Sequence, residues 1–495
     1  MSPPPLVPDR ALAAPARPAP RESLLVFSDV HLGSDLNDLG TSPPRSARID
    51  RDLTRLLRHY AATEPAADRW RVVIAGDFID FIGMTVKGRE ETLTTALTAE
   101  ERAHGLGSAA DHARVKLERV FARHGDVFDA LAELVARGHA LTLVHGNHDV
   151  DFHWDEVKAD FREGLLRRAR RADDAHDAEH DAAFLARIEF EPWFFYWQDV
   201  AYIEHGHQYD AYCASDHVMA PLSPLDPRRV MRGFSSTLLR YVVRQTHGMK
   251  EHGHEHLGVY DYLAFGARLG VRGVVGLVSR FSSAVVELFA LRRAHLSEAM
   301  HTLRAEHERR VALLAEATRL GVDRLRALAA LQVPPVTRSI PGILRSVLLD
   351  RLALGLLASL TLLTLAIVGV FHGQTLYGAL GVLGAWVVAH RYLSSQRQLD
   401  PADEMLHRAG TLARLLPAAF VVMGHTHIPA KQPVSGGDAT YINLGSWAEE
   451  EELDVAPGRA PYRAARTHLV IELDGGLPKA ELRAWRDDGP TAYES

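Results

Sequence analysis

The chain has 495 residues, which is enough for more than one domain or for one domain with a large insertion. Hydrophobic residues make up 47% of it and charged residues 24%, as in proteins that bury a sizeable core. The formal net charge of −7 provides no overall basic field, which argues against a nucleic-acid partner. The single cysteine, Cys213, excludes an internal disulfide framework.

The first 21 residues are rich in proline and alanine, and they lack the apolar run of a secretory signal. A segment of this composition buries too little apolar surface to order itself. We therefore expect a disordered leader over 1–21 and the start of the folded chain at about residue 22.

Short apolar runs rich in β-branched and aromatic residues predict buried strands, and each of the first five ends at a polar motif. Polar residues just past the carboxyl ends of strands are typical of sites in α/β proteins, so we predict an α/β fold. The last two runs, separated by Asp474-Gly475-Gly476, predict a hairpin. The predicted strands cover 24–27, 71–75, 141–144, 202–204, 420–423, 440–443, 469–473 and 480–485.

Two helical stretches interrupt this pattern, one over about 155–192 and a long insertion over 215–414. Within the insertion, apolar residues recur at helical spacing and predict an amphipathic helix or helix pair that ends at Pro334-Pro335. The helices over about 281–331 fit packing on the domain that contains the strands or on a second copy of the chain. The periodic residues are Leu296, Met300, Leu303, Val311, Leu314, Val322, Leu325 and Leu328.

Residues 352–389 contain no Asp, Glu, Lys or Arg, and His372-Gly373-Gln374 divides them into two apolar halves. The first half has the length of a membrane span. Arginines lie outside both ends and none lies at the turn, so the positive-inside rule favours a membrane hairpin over 349–391 with the catalytic domain in the cytoplasm. The alternative is a buried hairpin in a soluble cap. The candidate site residues lie before and after the insertion in sequence, and they must meet in one site. The number of membrane crossings must therefore be even, as it is in a hairpin.

Seven side chains near the strand ends are hard oxygen donors and imidazoles, with no thiolate among them. This mixture suits two adjacent divalent ions that activate water against a phosphate. Mn, Fe, Zn and Co all fit such donors, so the metals stay open. The seven are Asp29, His31, Asp77, Asn147, His205, His425 and His427.

The motifs FSDVHLG, GDFID, GNHD, EHGHQ and MGHTHIP, in this order, resemble those of the calcineurin-like metallophosphoesterases. The resemblance covers about 22–210 and 415–485, and it implies a two-sheet β-sandwich flanked by helices. It places the metallophosphoesterase domain at 22–214 and 415–487, with a tail at 488–495. It also implies one metal held by Asp29, His31, Asp77 and His427, and a second held by Asp77, Asn147, His205 and His425. His148 would assist the leaving group, and Asp80 would orient His148.

Several neighbouring residues have two interpretations. His205 directly follows a strand and is the expected ligand, with His207 as the alternative. Asp149 is expected to act as a backbone or second-shell partner, and the Asn443, Gly445 and Trp447 segment as structural support. Cys213 is expected in the core or at the surface, with the edge of the pocket as the alternative. The run His252, His254 and His256 fits a solvated loop or an extra metal site.

The predicted function is a membrane-attached phosphoester or pyrophosphate hydrolase. The alternatives are a non-catalytic scaffold with this fold and a phosphatase for soluble nucleotides or proteins. Attachment to the membrane favours a lipid-linked substrate, and EHGHQ is similar to a motif of the UDP-2,3-diacylglucosamine pyrophosphohydrolases. Those enzymes have HGD where this chain has HGH, which leaves the substrate open. A nuclease is the least expected class, because the net charge is acidic.

Overall fold

The computed structural model describes residues 21–38, 47–172, 177–246, 249, 259–369, 375–395, 401–448, 466–486 and 489–493. The leader, apart from Arg21, lies outside these residues. The run His252, His254 and His256 also lies outside them.

The described residues form two mixed β-sheets. The larger sheet has seven strands in the order β12-β11-β10-β1-β2-β3-β4, and the smaller has five in the order β5-β6-β7-β9-β8. The strands are β1 (Glu22–Phe27), β2 (Arg69–Ala75), β3 (Ala140–Val144), β4 (Ile188–Glu191), β5 (Phe194–Trp197), β6 (Asp199–Glu204), β7 (Ala418–Met423), β8 (Ala430–Pro433), β9 (Thr440–Asn443), β10 (Thr467–Asp474), β11 (Leu477–Arg486) and β12 (Gly489–Ala492).

Fourteen α-helices accompany the sheets in the described chain. They are α1 (Ala47–Ala62), α2 (Ala99–His104), α3 (Ala110–Arg123), α4 (Gly125–Ala136), α5 (Asp155–Ala172), α6 (Ala178–Leu185), α7 (Phe234–Leu238), α8 (Val259–Ala294), α9 (Glu298–Thr318), α10 (Val322–Ala329), α11 (Ile340–Ser346), α12 (Leu349–Gly369), α13 (Thr375–Ser395) and α14 (Ala402–Leu415).

Side-chain alternation along the strands builds the layers. In β1, Leu24 and Val26 join a cluster shared by both sheets, whereas Leu25 and Phe27 face the core under α1, α3, α4 and α5. The outer face of the smaller sheet packs against α9, α10 and α14. The two sheets therefore pack face to face with helices on both outer sides, and the α/β class predicted from the sequence is confirmed.

Every predicted strand lies within an observed strand, and the predicted hairpin is confirmed as the antiparallel pair of β10 and β11. The predicted helical stretch over 155–192 is wrong at its end. Ile188 and Phe190 are buried, and Ile188–Glu191 forms the edge strand β4 beside β3. Residues 489–492 of the predicted tail form β12.

The predicted helix pair in the insertion is confirmed as α9 and α10. Leu303, Val311 and Leu314 of α9 are buried, as are Leu325 and Leu328 of α10. Leu296 is wrong as a member of this face, because it lies before α9 and is exposed. These helices cover the smaller sheet, so they pack on the domain that carries the sheets.

The apolar stretch 352–389 forms two neighbouring helices, α12 and α13. Within α12 the window Leu349–Val368 has a mean hydropathy of 2.1, and none of it is buried in the protein. The buried hairpin of a soluble cap is therefore not what the described residues form. The exposed large apolar side chains include Leu352, Leu356, Leu360, Leu363 and Ile367 on α12 and Leu376, Leu380, Leu383 and Val388 on α13.

Candidate metal centre

The candidate site lies where five strands end. Parallel strands β1, β2 and β3 of the larger sheet, and β6 and β7 of the smaller, all run toward it. Gly76, just after β2, has a φ of +86°, and a Cβ there would lie 2.6 Å from the Cβ of His205 on the other sheet. The missing side chain therefore lets the two sheets meet at the site.

Five of the seven predicted ligands have a left-handed backbone. This conformation costs a non-glycine residue on the order of 1–3 kcal/mol, and such residues cluster at functional sites. Only three other described non-glycine residues share it: Asp199, Arg319 and Leu348. The ligand positions are Asp29, His31, Asp77, His425 and His427.

The first predicted ligand set comes together in the structure. One ligand atom from each of Asp29, His31 and His427 lies within 4.8 Å of the others. The Nε2 atom of His427 is 3.2 Å from Asp29 Oδ1, and Nε2 of His31 is 3.6 Å from Asp77 Oδ2. Burial, and next the charge of His148, lowers the pKa of His31 to about 3. His31 is therefore a neutral imidazole at neutral pH, which is the form that binds metal.

The second predicted set centres on His205. Its Nε2 atom lies 3.2 Å from Asp77 Oδ2 and 3.1 Å from Asn147 Oδ1, while its Nδ1 atom lies 3.0 Å from the carbonyl oxygen of Ala75. Oxygen acceptors thus face both ring nitrogens. Burial lowers the pKa of His205, but Asp77 and Asp29 outweigh it and raise the pKa to about 9. A cation among these atoms replaces that proton, so the donors fit a metal ion.

In each of the two buried carboxylates, one oxygen accepts a hydrogen bond from a neighbouring loop and the other faces the histidines of the cluster. Asp77 Oδ1 accepts a hydrogen bond from the amide of His148 at 2.8 Å, and Oδ2 faces His31 and His205. Asp29 Oδ2 accepts from Ser28 Oγ at 2.5 Å, and its buried Oδ1 faces Nε2 of His427 at 3.2 Å. These cluster-facing oxygens and the imidazoles form buried Asp/His groups able to hold a metal ion.

His425 lies beside the cluster with a partner that the sequence did not indicate. Its ring centre is 5.2 Å from that of His205, but its Nε2 atom lies 3.0 Å from Asp210 Oδ2. Such a carboxylate commonly fixes the orientation of a metal-binding histidine and leaves Nδ1 for the metal. Asp210 lies three residues after His207 in HGHQYD. This spacing is the one feature of the sequence that could have indicated Asp210 as a residue of the site.

Cys213 adopts the less expected of its two positions, because it shares a group with Asp210 and His425 at the edge of the site. Its Sγ atom is 3.3 Å from Ser235 Oγ. Burial, and next the charge of Asp210, raises the pKa of the thiol well above its ordinary value. Cys213 is therefore a protonated thiol without the thiolate needed for reaction.

His148 and Asp80 form the predicted pair. His148 Nδ1 lies 2.6 Å from Asp80 Oδ1. Asp80 Oδ2 accepts a hydrogen bond at 2.9 Å from Arg244, a residue of the insertion with no sequence signal. Burial raises the pKa of Asp80, but the charges of His148 and Arg244 outweigh it and hold the pKa below its ordinary value.

The predicted supporting residues act as expected. Asp149 accepts hydrogen bonds from the amides of Gly146 at 2.6 Å and Phe78 at 2.8 Å. Asn443 Nδ2 donates to the carbonyl oxygen of Gly424 at 2.7 Å, and the Trp447 amide donates to that of Asp29 at 3.0 Å. These bonds fix the loops that carry the site.

The structure separates the two histidines of HGHQ. His205 lies in the Asp77 cluster, whereas Nε2 of His207 lies 2.8 Å from the Gln208 side-chain nitrogen. Burial, and next the charge of His205, lowers the pKa of His207 well below its ordinary value. The geometry therefore favours His205 as the ligand.

No protein-family model matches this chain, and no curated protein matches it. The residues and distances above therefore carry the functional argument. They indicate a metal site by their chemistry, because oxygen and imidazole donors of this kind bind divalent ions in proteins of many families.

Proposed function

We propose that this protein is a calcineurin-like metallophosphoesterase that hydrolyses phosphoester or phosphoanhydride bonds with two divalent ions. The observation that carries the proposal is the buried cluster in which Asp77 Oδ2 lies 3.6 Å from His31 Nε2 and 3.2 Å from His205 Nε2. One carboxylate oxygen between two imidazoles is the arrangement that a ligand shared by two ions requires. The layered sheets and the order of the motifs add support.

Two groups of residues would bind the ions, and a third group would assist the leaving group. Asp29, His31, Asp77 and His427 would hold one ion, and Asp77, Asn147, His205 and His425 the other. Two bound ions supply positive charge that attracts a phosphate and lowers the pKa of a water molecule. His148, whose Nδ1 is held by Asp80, directs Nε2 to the leaving-group oxygen and can donate a proton to it.

An Asp77→Asn variant tests this function. The amide oxygen can still accept from the His148 amide, so the loop is retained, but the shared negative charge is lost. We expect hydrolysis of 4-nitrophenyl phosphate by the full chain in detergent to fall by about 100-fold or more, because several kcal/mol of charge stabilisation depend on the metals. Elemental analysis should show fewer bound ions.

The matched control is Asp126→Asn, which changes an exposed carboxylate in the first turn of α4. It should retain both metal content and activity. Wild-type turnover by Asp77→Asn would contradict the proposal. A wild-type protein that binds metal but hydrolyses no phosphoester would instead favour the non-catalytic scaffold.

We further propose that α12 and α13 insert into the cytoplasmic membrane, with the catalytic domain in the cytoplasm. Their apolar side chains point outward, and an exposed surface of this kind is unfavourable in water. Arg351 Nη2 lies 3.5 Å from the Leu393 carbonyl oxygen, so the hairpin enters and leaves at one place. An enzyme held there meets lipid-linked phosphates in two dimensions, which makes them the proposed substrate class.

A further inference from the structure

Arg244 belongs to the insertion, yet its side chain reaches the candidate catalytic pair. It follows a π-helical turn, Leu239–Val243, and its amide donates to the Leu239 carbonyl oxygen at 2.9 Å. Single π turns inside helices occur frequently at functional sites. Here the residue that follows the turn is Arg244, which is only 3% exposed.

The guanidinium bridges two parts of the catalytic domain. Arg244 Nη2 donates to Asp80 Oδ2 at 2.9 Å, and Nη1 donates to the Ser34 carbonyl oxygen at 2.7 Å. Gly83 makes room for this contact, because a Cβ at position 83 would overlap both Asp80 Oδ2 and Arg244 Nη2. The amide of Gly83 also donates to Asp80 Oδ1 at 2.7 Å. With His148 Nδ1, three nitrogen atoms thus contact the Asp80 carboxylate.

The position of Arg244 is itself well supported. Arg240, one turn earlier, pairs with Glu100 and donates to the Leu106 carbonyl oxygen at 3.2 Å. On the other side, Arg280 of α8 donates to Thr246 Oγ1 at 3.1 Å, and Thr246 Oγ1 donates to the Val242 carbonyl oxygen at 2.7 Å. The insertion therefore holds Arg244 between the catalytic domain and α8.

We propose that Arg244 is a positioning residue for His148, so that the insertion completes the catalytic centre. The proposal rests on the proposed hydrolase function. Arg244 fixes the Asp80 carboxylate, and Asp80 in turn fixes the His148 ring through Nδ1. His148 then presents Nε2–H to the departing oxygen, and the proton passes from Nε2 to that oxygen as its bond to phosphorus breaks.

The test compares two leaving groups on the full chain in detergent. 4-Nitrophenolate departs without a proton, whereas the more basic phenolate of phenyl phosphate depends on one. We expect Arg244→Gln to lower kcat for phenyl phosphate by about 10- to 100-fold, the usual effect of losing an outer-shell partner, and to lower kcat for 4-nitrophenyl phosphate much less. Metal content should stay at the wild-type value.

Arg240→Gln is the matched control, because Arg240 is equally buried on the same helix but faces Glu100. It should lower thermal stability and affect both substrates by the same factor. Arg244→Lys is the second variant. Lysine keeps the charge but reaches only one of the two acceptors, so an intermediate loss with the same leaving-group preference is expected.

The outcomes separate the two proposals. Equal losses on both substrates for Arg244→Gln, matching those of Arg240→Gln, would reduce Arg244 to a structural role and overturn this inference alone. If the metal-loaded wild-type protein hydrolyses neither substrate, the hydrolase function fails, and the inference about Arg244 fails with it.

Discussion

At the scale of single residues, the candidate site is marked by backbone conformation as well as by side chains. Asp29, His31, Asp77, His425 and His427 all have a positive φ, between 51° and 68°. Aspartate and histidine tolerate this region better than most residues, but it still costs stability. The surrounding hydrogen bonds hold the strained loops in place, as the bond from the Trp447 amide to the Asp29 carbonyl shows.

The choice between His205 and His207 gives a test at this scale. We expect His205→Gln to bind less metal and lose hydrolysis, because Nε2 of His205 faces Asp77 and Asn147. His207→Gln should retain its metal, because the His207 ring is paired with Gln208. Elemental analysis after gel filtration distinguishes the two, and metal loss in His207→Gln alone would reverse the assignment.

At the scale of elements, two helices have the length and composition of membrane spans, but they differ in packing. Ala267–Ala294 of α8 has a mean hydropathy of 1.7. Its second half packs on the protein through Phe281, Ala284, Leu288 and Leu291, although Val286 on the same half is exposed. In its first half, Val271, Val275 and Val278 are exposed on one side. The helix α12 has no buried residue in its apolar window.

Replacing residues 349–395 by a short glycine-serine linker should release most of the protein from membranes. The bond between Arg351 and Leu393 shows that the two ends lie close together. The deletion spares Ile343 and Val347, which pack on Leu288 in the core of the insertion. Sedimentation of cell lysates with and without detergent measures the effect.

The control for this deletion is the Val271→Ser, Val275→Ser and Val278→Ser variant with an intact hairpin. It should still sediment with membranes, because α12 and α13 remain. Retained activity on 4-nitrophenyl phosphate shows that the shortened chain is folded. An intact chain that stays soluble without detergent would refute membrane insertion.

At the scale of the whole molecule, the insertion packs on the two-sheet domain as part of one core. The helices α9, α10 and α14 form the outer cover of the smaller sheet.

His468 of β10, in the larger sheet, is fully buried, and its Nε2 lies 2.9 Å from the Tyr60 hydroxyl of α1. Burial, and next the charges of Arg483 and His59, lowers the pKa of His468 to about 3.

This buried histidine predicts a loss of stability in acid. The unfolded chain binds a proton at His468 below its ordinary pKa of 6.5, whereas the folded chain binds it only near 3, so stability falls as the pH drops below 6.5. Between pH 7 and 5, protonation of His468 in the unfolded chain lowers the free energy of unfolding by about 2 kcal/mol. The unfolding free energy of His468→Gln should therefore change less over that range. Chemical unfolding followed by tryptophan fluorescence measures it, and an unchanged pH dependence would contradict the prediction.

Much of the fold could be read from local pattern. Most predicted strands were apolar runs with β-branched or aromatic residues, and burial on both faces favours such residues. The strand over 480–485 was instead predicted from the turn residues Asp474-Gly475-Gly476. The signal is weak in two missed strands, because β4 follows charged helical sequence and β8 contains the exposed Lys431, Gln432 and Pro433. The strand β5 (Phe194–Trp197) is entirely aromatic and was missed all the same. Edge strands are satisfied by pairing with a neighbour, and no local pattern reports a neighbour.

The sequence by itself determined which oxygen and imidazole donors are present and that they follow strands, because both are local facts. It also determined the apolar character of 352–389. Only the tertiary structure decided that Asp210 orients His425, that Arg244 reaches Asp80 across 164 residues of chain, and that α8 packs where α12 does not. These are contacts between segments distant in sequence. Their existence depends on how the sheets and helices pack, and neither composition nor spacing records that packing.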